Sequence, residues 1–266
     1  MRSRNGYLLA EALCALALAG LLAVACATTL LQSRRALAAT EARARAQRSA
    51  LDALAITAAL VLDAEGITLL GDTAIEFSVA VAASVVCARE GTWLVLPPAR
   101  LGAPTALAII SQAPEDGDEV RAFVGDTITG LDAWLAAPVD SASMRAAPDA
   151  CTLDGRYVAP SDAGAPRLRI ASATIDPRVR MGTPVRVLRR GRLALYSSGG
   201  EWMLGWRRCA HGACGVIQPV AGPLQGPAAD GFRVRIAGPG EVEISVNPAG
   251  ARTSITAIIR RTDAGR

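Results

Sequence analysis

Glu11 is the only charged side chain in an otherwise apolar run from residue 7 to residue 31. A carboxylate in such a segment costs about 2.5–3.5 kcal/mol at a membrane centre, somewhat less near an interface, and marks a function by default. The single histidine, His211, lies inside Cys209-Ala-His-Gly-Ala-Cys214, where two thiolates and an imidazole could ligate zinc. No fourth ligand is in view and the close Cys-x-x-Cys spacing is missing, so a disulfide-closed loop is the simpler reading. The run Glu115-Asp116-Gly117-Asp118-Glu119 offers the carboxylate oxygens that calcium takes, although a solvated turn explains it as well. There is no Gly-x-Ser-x-Gly elbow, no phosphate-cradling Gly-Lys loop and no His-Glu-x-x-His. The expectation is therefore a chain that is not an enzyme, with no catalytic residue, metal or cofactor.

Cys14 and Cys26 fall in the apolar run, where they serve as small apolar side chains. Cys87, Cys151, Cys209 and Cys214 lie beyond it, an even set that fits an oxidising compartment. Of the three possible connectivities, the local Cys209–Cys214 clip is favoured, leaving Cys87–Cys151 by elimination.

Gly6-Tyr7-Leu8-Leu9-Ala10-Glu11, after a short leader carrying Arg2 and Arg4, resembles the cleavage and methylation segment of type IV prepilins and type II secretion pseudopilins. The resemblance implies that a prepilin peptidase cuts between Gly6 and Tyr7 and methylates the new amine of Tyr7. It also implies that Glu11 neutralises such an amine on a neighbouring subunit. Opposite charges about 4 Å apart attract by several kcal/mol at an effective dielectric near 20, enough to set axial register. A second, weaker resemblance, to W-type minor pilins and J-type minor pseudopilins, rests on Leu195-Tyr196, Trp202-Met203-Leu204-Gly205 and Gln218-Pro219-Val220-Ala221. Some pseudopilins bind calcium, which gives the acidic run a second reading. Other N-terminal readings compete. Ala23-Val24-Ala25 and Ala25-Cys26-Ala27 fit a signal-peptidase site, Cys26 could be lipidated, and a plain signal anchor is possible. The apolar run exceeds the usual core of about 7–15 residues in a signal peptide. Arg34, Arg35, Arg43, Arg45 and Arg48 follow the span, so basic charge alone would put the N-terminus outside. The family keeps its leader cytoplasmic, and that orientation is adopted.

The elements that must position these residues follow from pattern. Residues 7–31, about 25 in number, suffice to cross a bilayer as a helix. From residue 32 the pattern turns amphipathic, with Leu30, Leu37, Ala44, Leu51 and Ala58 recurring at heptad spacing, and Leu54 and Val61 beside them. No proline interrupts residues 7–65, so a single helix near 87 Å is expected, ended by Gly66. Beyond it the signals are those of strands at 75–81, 84–87 and 93–96, then a pair at 105–110 and 119–124 joined by the acidic run. Residues 138–166 read as a long mobile excursion. Strands at 167–175, 185–188, 193–197, 201–208, 232–236, 241–246 and 252–260 follow, with Ser198-Gly199-Gly200 as a tight turn. The strongly apolar 254–259 is expected inside a sheet, and 262–266 as a frayed tail.

The expected fold is α+β, a pilin-like helix followed by a mainly antiparallel β head. Its parts are a leader (1–6), a transmembrane half-helix (7–31), an amphipathic half-helix (32–66) and a periplasmic head (67–266). A net charge of +4, scattered along the chain, argues against nucleic acid. Trp93, Trp134, Trp202 and Trp206 form no stacking stripe with basic residues and are assigned to packing. The expected partners are other pilin or pseudopilin subunits, the prepilin peptidase and inner-membrane lipid. The alternative is a periplasmic lipoprotein or secreted binding protein whose head acts alone.

Overall fold

The computed structural model describes residues 5–98, 108–125, 132–146, 151, 157–158, 162, 164–251 and 253–261, with side chains described from residue 11 onward. The expected leader up to Arg4, residues 105–107 of an expected strand and the expected tail at 262–266 lie outside them.

One helix, α1 (Asn5–Asp63), takes 59 residues without a break, about 88 Å at roughly 1.5 Å per residue. It ends before Gly66. The chain passes straight into β1 (Ala64–Leu69), which pairs with β2 (Ala74–Val85) and carries an irregularity between Ala64 and Gly66. Ladder hydrogen bonds to β2 thus end the helix, with no glycine cap. Short strands β3 (Ala88–Glu90), β4 (Trp93–Val95) and β5 (Ile109–Ile110) come next, then β6 (Glu119–Gly125), β7 (Asp132–Pro138), β8 (Ser141–Ala146) and β9 (Pro166–Ala171). The long β10 (Pro184–Ser198) and β11 (Glu201–Ala210) form a hairpin, followed by β12 (Ala213–Cys214) and β13 (Gln218–Leu224). The chain closes with β14 (Phe232–Gly238), β15 (Glu241–Val246) and β16 (Ile255–Arg260).

All described pairings between these strands are antiparallel. A nine-stranded sheet is built on β2 and β10, with β1, β11, β12 and β13 at one end and β5, β6 and β7 at the other. A four-stranded sheet runs β3-β4-β9-β8, and a three-stranded sheet runs β14-β15-β16.

Several strand expectations change. The expected strands at 185–188 and 193–197 are one strand, β10, and 75–81 runs on through residues 84–85 in β2, which stops short of Val86 and Cys87. The expected pair of 105–110 with 119–124 does not form: β5 pairs β2, whereas β6 lies between β10 and β7. The expected excursion contains an ordered edge strand, β8, along β9, and Cys151 is tied to Cys87. β16 is an edge strand and not an internal one. Its apolar character follows from packing against α1, with Ile259 buried and Ile258 exposed.

Two apolar cores lie end to end along β10. Val185 and Val187 join Val81, Val120, Leu94 and Ile170 in one. Leu193 joins Ile75, Phe77, Leu204, Phe232 and Ile244 in the other, against Ala50, Ala53 and Val61 of α1. Alternation along a strand puts residues 185, 187, 189, 191 and 193 on one face. Arg189 therefore occupies a core-facing position between the two cores, and it is 6% exposed.

Candidate functional site

The helix carries the site residues at its free end. Gly6 and Tyr7 lie in the first turns of α1, and Glu11 follows Tyr7 by four residues, about one turn. Glu11 is exposed, and every residue from 11 to 43 is exposed with it. The apolar half of α1 projects clear of the head, long and apolar enough to cross a bilayer. Among the described residues Glu11 makes no ion pair. A lone carboxylate on an apolar rod finds no cation within its own described fold.

Further along, α1 has two different faces. Ala46, Ala50, Ala53, Thr57 and Val61 are buried, spaced three or four residues apart, as one helix side requires. They pack against β13, β15, β16 and β2. Ser49 fastens this side: its Oγ donates to the Gly222 carbonyl at 2.6 Å and accepts from the Gly222 N–H at 2.7 Å. Of the expected apolar stripe, Leu54, Ala58 and Val61 meet the head, and the leucines at 30, 37 and 51 do not. Leu30, Leu37 and Leu51 are 64%, 62% and 50% exposed, and at 3.6 residues per turn they fall on the far side of the helix from the buried alanines. Leu62, also exposed, extends that far side. The alanine-rich side reaches the head because small residues let helix and sheet approach closely, and the leucine side is left without a described partner.

Both expected disulfides are present, Cys87–Cys151 and Cys209–Cys214. Cys14 and Cys26 are free and exposed on the apolar half of α1. One ligand atom from each of Glu76, Cys209 and Cys214 lies within 4.8 Å of the others. With the sulfurs joined neither is a thiolate, the form that zinc takes. Glu76 itself is held by Arg190 and by Arg192, whose Nη2 lies 2.9 Å away. Burial works to raise its pKa, yet hydrogen bonds from Arg192 and Arg190 prevail and leave the carboxyl below the usual Glu range.

The acidic run is neither solvated throughout nor open. Asp118 is buried, and its two oxygens take Arg189 Nη2 at 2.8 Å and Arg208 Nη2 at 3.0 Å. Arg189 also donates to Gln112 Oε1 and to the Ala113 carbonyl, both at 2.8 Å. Glu115 pairs with Arg189 and Arg208, Glu119 with Arg121, and Asp116 Oδ1 lies 3.1 Å from His211 Nε2. Guanidinium groups already fill the places calcium would take. Gly117, at φ +80, makes the turn possible, since a Cβ there would sit 2.6 Å from the Ala210 Cβ.

The tryptophans divide. Arg169 stacks over Trp93 at 5.0 Å and Arg186 over Trp134 at 5.2 Å, isolated pairs across strands and not a stripe. Trp206 packs on the core beside α1, and Trp202 is half-buried. The Tyr196–Trp202 hairpin forms as expected, with Tyr196 opposite Met203, and β13 carries Gln218 to Ala221 along β11. Sequence pattern did not find Arg189 or Ser49. Arg189 was marked only by its odd place in the alternation of Val185, Val187 and Leu193, and Ser49 by nothing. No family model matches the chain, no curated protein matches it, and no solved structure matches its fold.

Proposed function

We propose that this chain is a minor pilin-like subunit, anchored in the bacterial inner membrane by α1 with its β head in the periplasm. A prepilin peptidase cuts it after Gly6, and it enters a type IV pilus or type II secretion pseudopilus. The observation that carries this reading is the pairing of the Gly6–Glu11 segment with a helix whose first half projects bare from the head. Lipid holds that half until assembly withdraws it. Glu11 then meets the new amine of a neighbour, and the leucine side of α1 packs on neighbouring helices. Arg34, Arg35, Arg43 and Arg45 make no ion pair among the described residues, in contrast to most head arginines, so this half of the molecule keeps its charges for contacts outside it.

The test is N-terminal mass analysis of the mature protein. A methylated Tyr7 terminus supports the reading, whereas an acylated Cys26 or a start after Ala27 replaces it with a lipoprotein or a secreted binding protein. Gly6→Ala should block processing. Glu11→Ala should leave processing largely intact and lower recovery in sheared filaments or subunit pull-downs, and normal incorporation would remove the charge-pairing mechanism.

A further inference from the structure

We propose that the Cys209–Cys214 disulfide is a thiol-exchange site, opened by an external dithiol while Cys87–Cys151 stays closed. The two bonds differ at one end only, since Cys209 is 6% exposed and thus as buried as Cys151, whereas Cys214 is not buried. Cys87 is fully buried and Cys151 nearly so, packed with Val95 and Val158. Cys214 is half-exposed at the hairpin between β11 and β12, beside exposed Gly215 and Val216. A cavity of about 250 Å³ is lined by both cysteines together with Glu76, Glu119, Leu188, Arg190 and Arg192.

Local charge sets the direction of the exchange. Arg190 stands directly across the ladder from Cys209, and Arg192 lies on the same side of β10, two residues on. Glu76, one carboxylate oxygen of which lies within 4.8 Å of both sulfurs, is shared by the two cations. Glu119 on the same cavity is taken by Arg121. Two guanidiniums against one carboxylate thus leave a single net positive charge. A cation beside a sulfur stabilises its thiolate and makes it the better leaving group. The incoming thiolate attacks Sγ of Cys214, the accessible sulfur. The S–S bond breaks, and Cys209 leaves with the electron pair as a thiolate facing Arg190. The second thiol of the donor then attacks its own sulfur in the mixed disulfide and expels the Cys214 thiolate. The donor ends as a disulfide, and its two electrons and two protons pass to the cysteine pair.

The fold tolerates this opening. The bond spans 5 residues, against 64 for Cys87–Cys151, so it restrains the unfolded chain less. What it does hold is the turn bearing His211, which rests against Gly117 and pairs with Asp116. Opening it frees that turn from the acidic run.

The experiment takes the full chain in detergent through graded dithiothreitol, with iodoacetamide quenching and peptide mapping. Cys209 and Cys214 should be alkylated about tenfold faster than Cys87 and Cys151. Arg190→Gln should slow the opening about threefold and Arg190→Lys should restore it. Simultaneous opening of both bonds, or Cys87–Cys151 opening first, overturns the proposal. An unchanged rate in Arg190→Gln overturns the assignment of Cys209 as leaving group.

Discussion

Arg189 stands where the strand pattern calls for an aliphatic side chain, and the buried Asp118 makes that tolerable. A charge taken out of water costs several kcal/mol unless it is paired and its donors are satisfied. Here Asp118, Gln112 and the Ala113 carbonyl supply the acceptors. Asp118→Ala leaves the guanidinium with Glu115 alone as counter-charge and should destabilise the head by about 3 kcal/mol, read by denaturant unfolding. Gly117→Ala, which meets both the positive φ and the Ala210 contact, should cost about 1–3 kcal/mol by the same assay. Glu76 gives a pH signature. Its carboxyl titrates below the ordinary Glu range because hydrogen bonds from Arg192 and Arg190 outweigh the opposing effect of burial. A carboxyl with a lowered folded-state value adds stability above the unfolded-state value, and that addition is lost as pH falls through the folded one. Unfolding midpoints should therefore drop on acidification below the ordinary carboxylate range, and Glu76→Gln should flatten that part of the curve.

At the scale of elements, α1 shows why periodicity alone misplaces a face. The leucines at 30, 37 and 51 give the stronger apolar signal, yet of the expected stripe it is Leu54, Ala58 and Val61 that meet the head. Beside them the head takes Ala46, Ala50 and Ala53, together with Ser49. Shape prevailed over hydrophobicity, because β13 with its Gly222 comes too close for larger side chains. Ser49→Ala removes both partners of the Gly222 peptide and should cost about 1–3 kcal/mol in head stability. Leu37→Glu and Leu51→Glu, on the opposite side, should shift stability by no more than about 0.5 kcal/mol. If the leucine side is the assembly face, the same substitutions should lower incorporation into filaments, and full incorporation would show that neighbours do not use it.

Across the whole molecule, one apolar rod is fixed to a β head in which local sequence and distant pairing had unequal shares. The continuous helix, the break to strands, the β10–β11 hairpin and both disulfides were legible from the sequence. Each depends on residues close together in the chain or, for Cys87–Cys151, on a choice among few partners. The tertiary structure decided which strand pairs which, because these ladders join residues far apart in the chain, 109–110 with 82–83 and 119–122 with 185–188. It likewise decided that an acidic run serves Arg189 and Arg208, since a carboxylate's partner is fixed by approach in space and not by sequence distance. What the chain alone determined is the apolar first half of the long helix and the single acid within it, Glu11, because lipid-length hydrophobicity and one stranded charge need no fold to be recognised. Which side of that helix meets the head, and which stays exposed, was settled only when the sheet closed over Ala50 and Ala53.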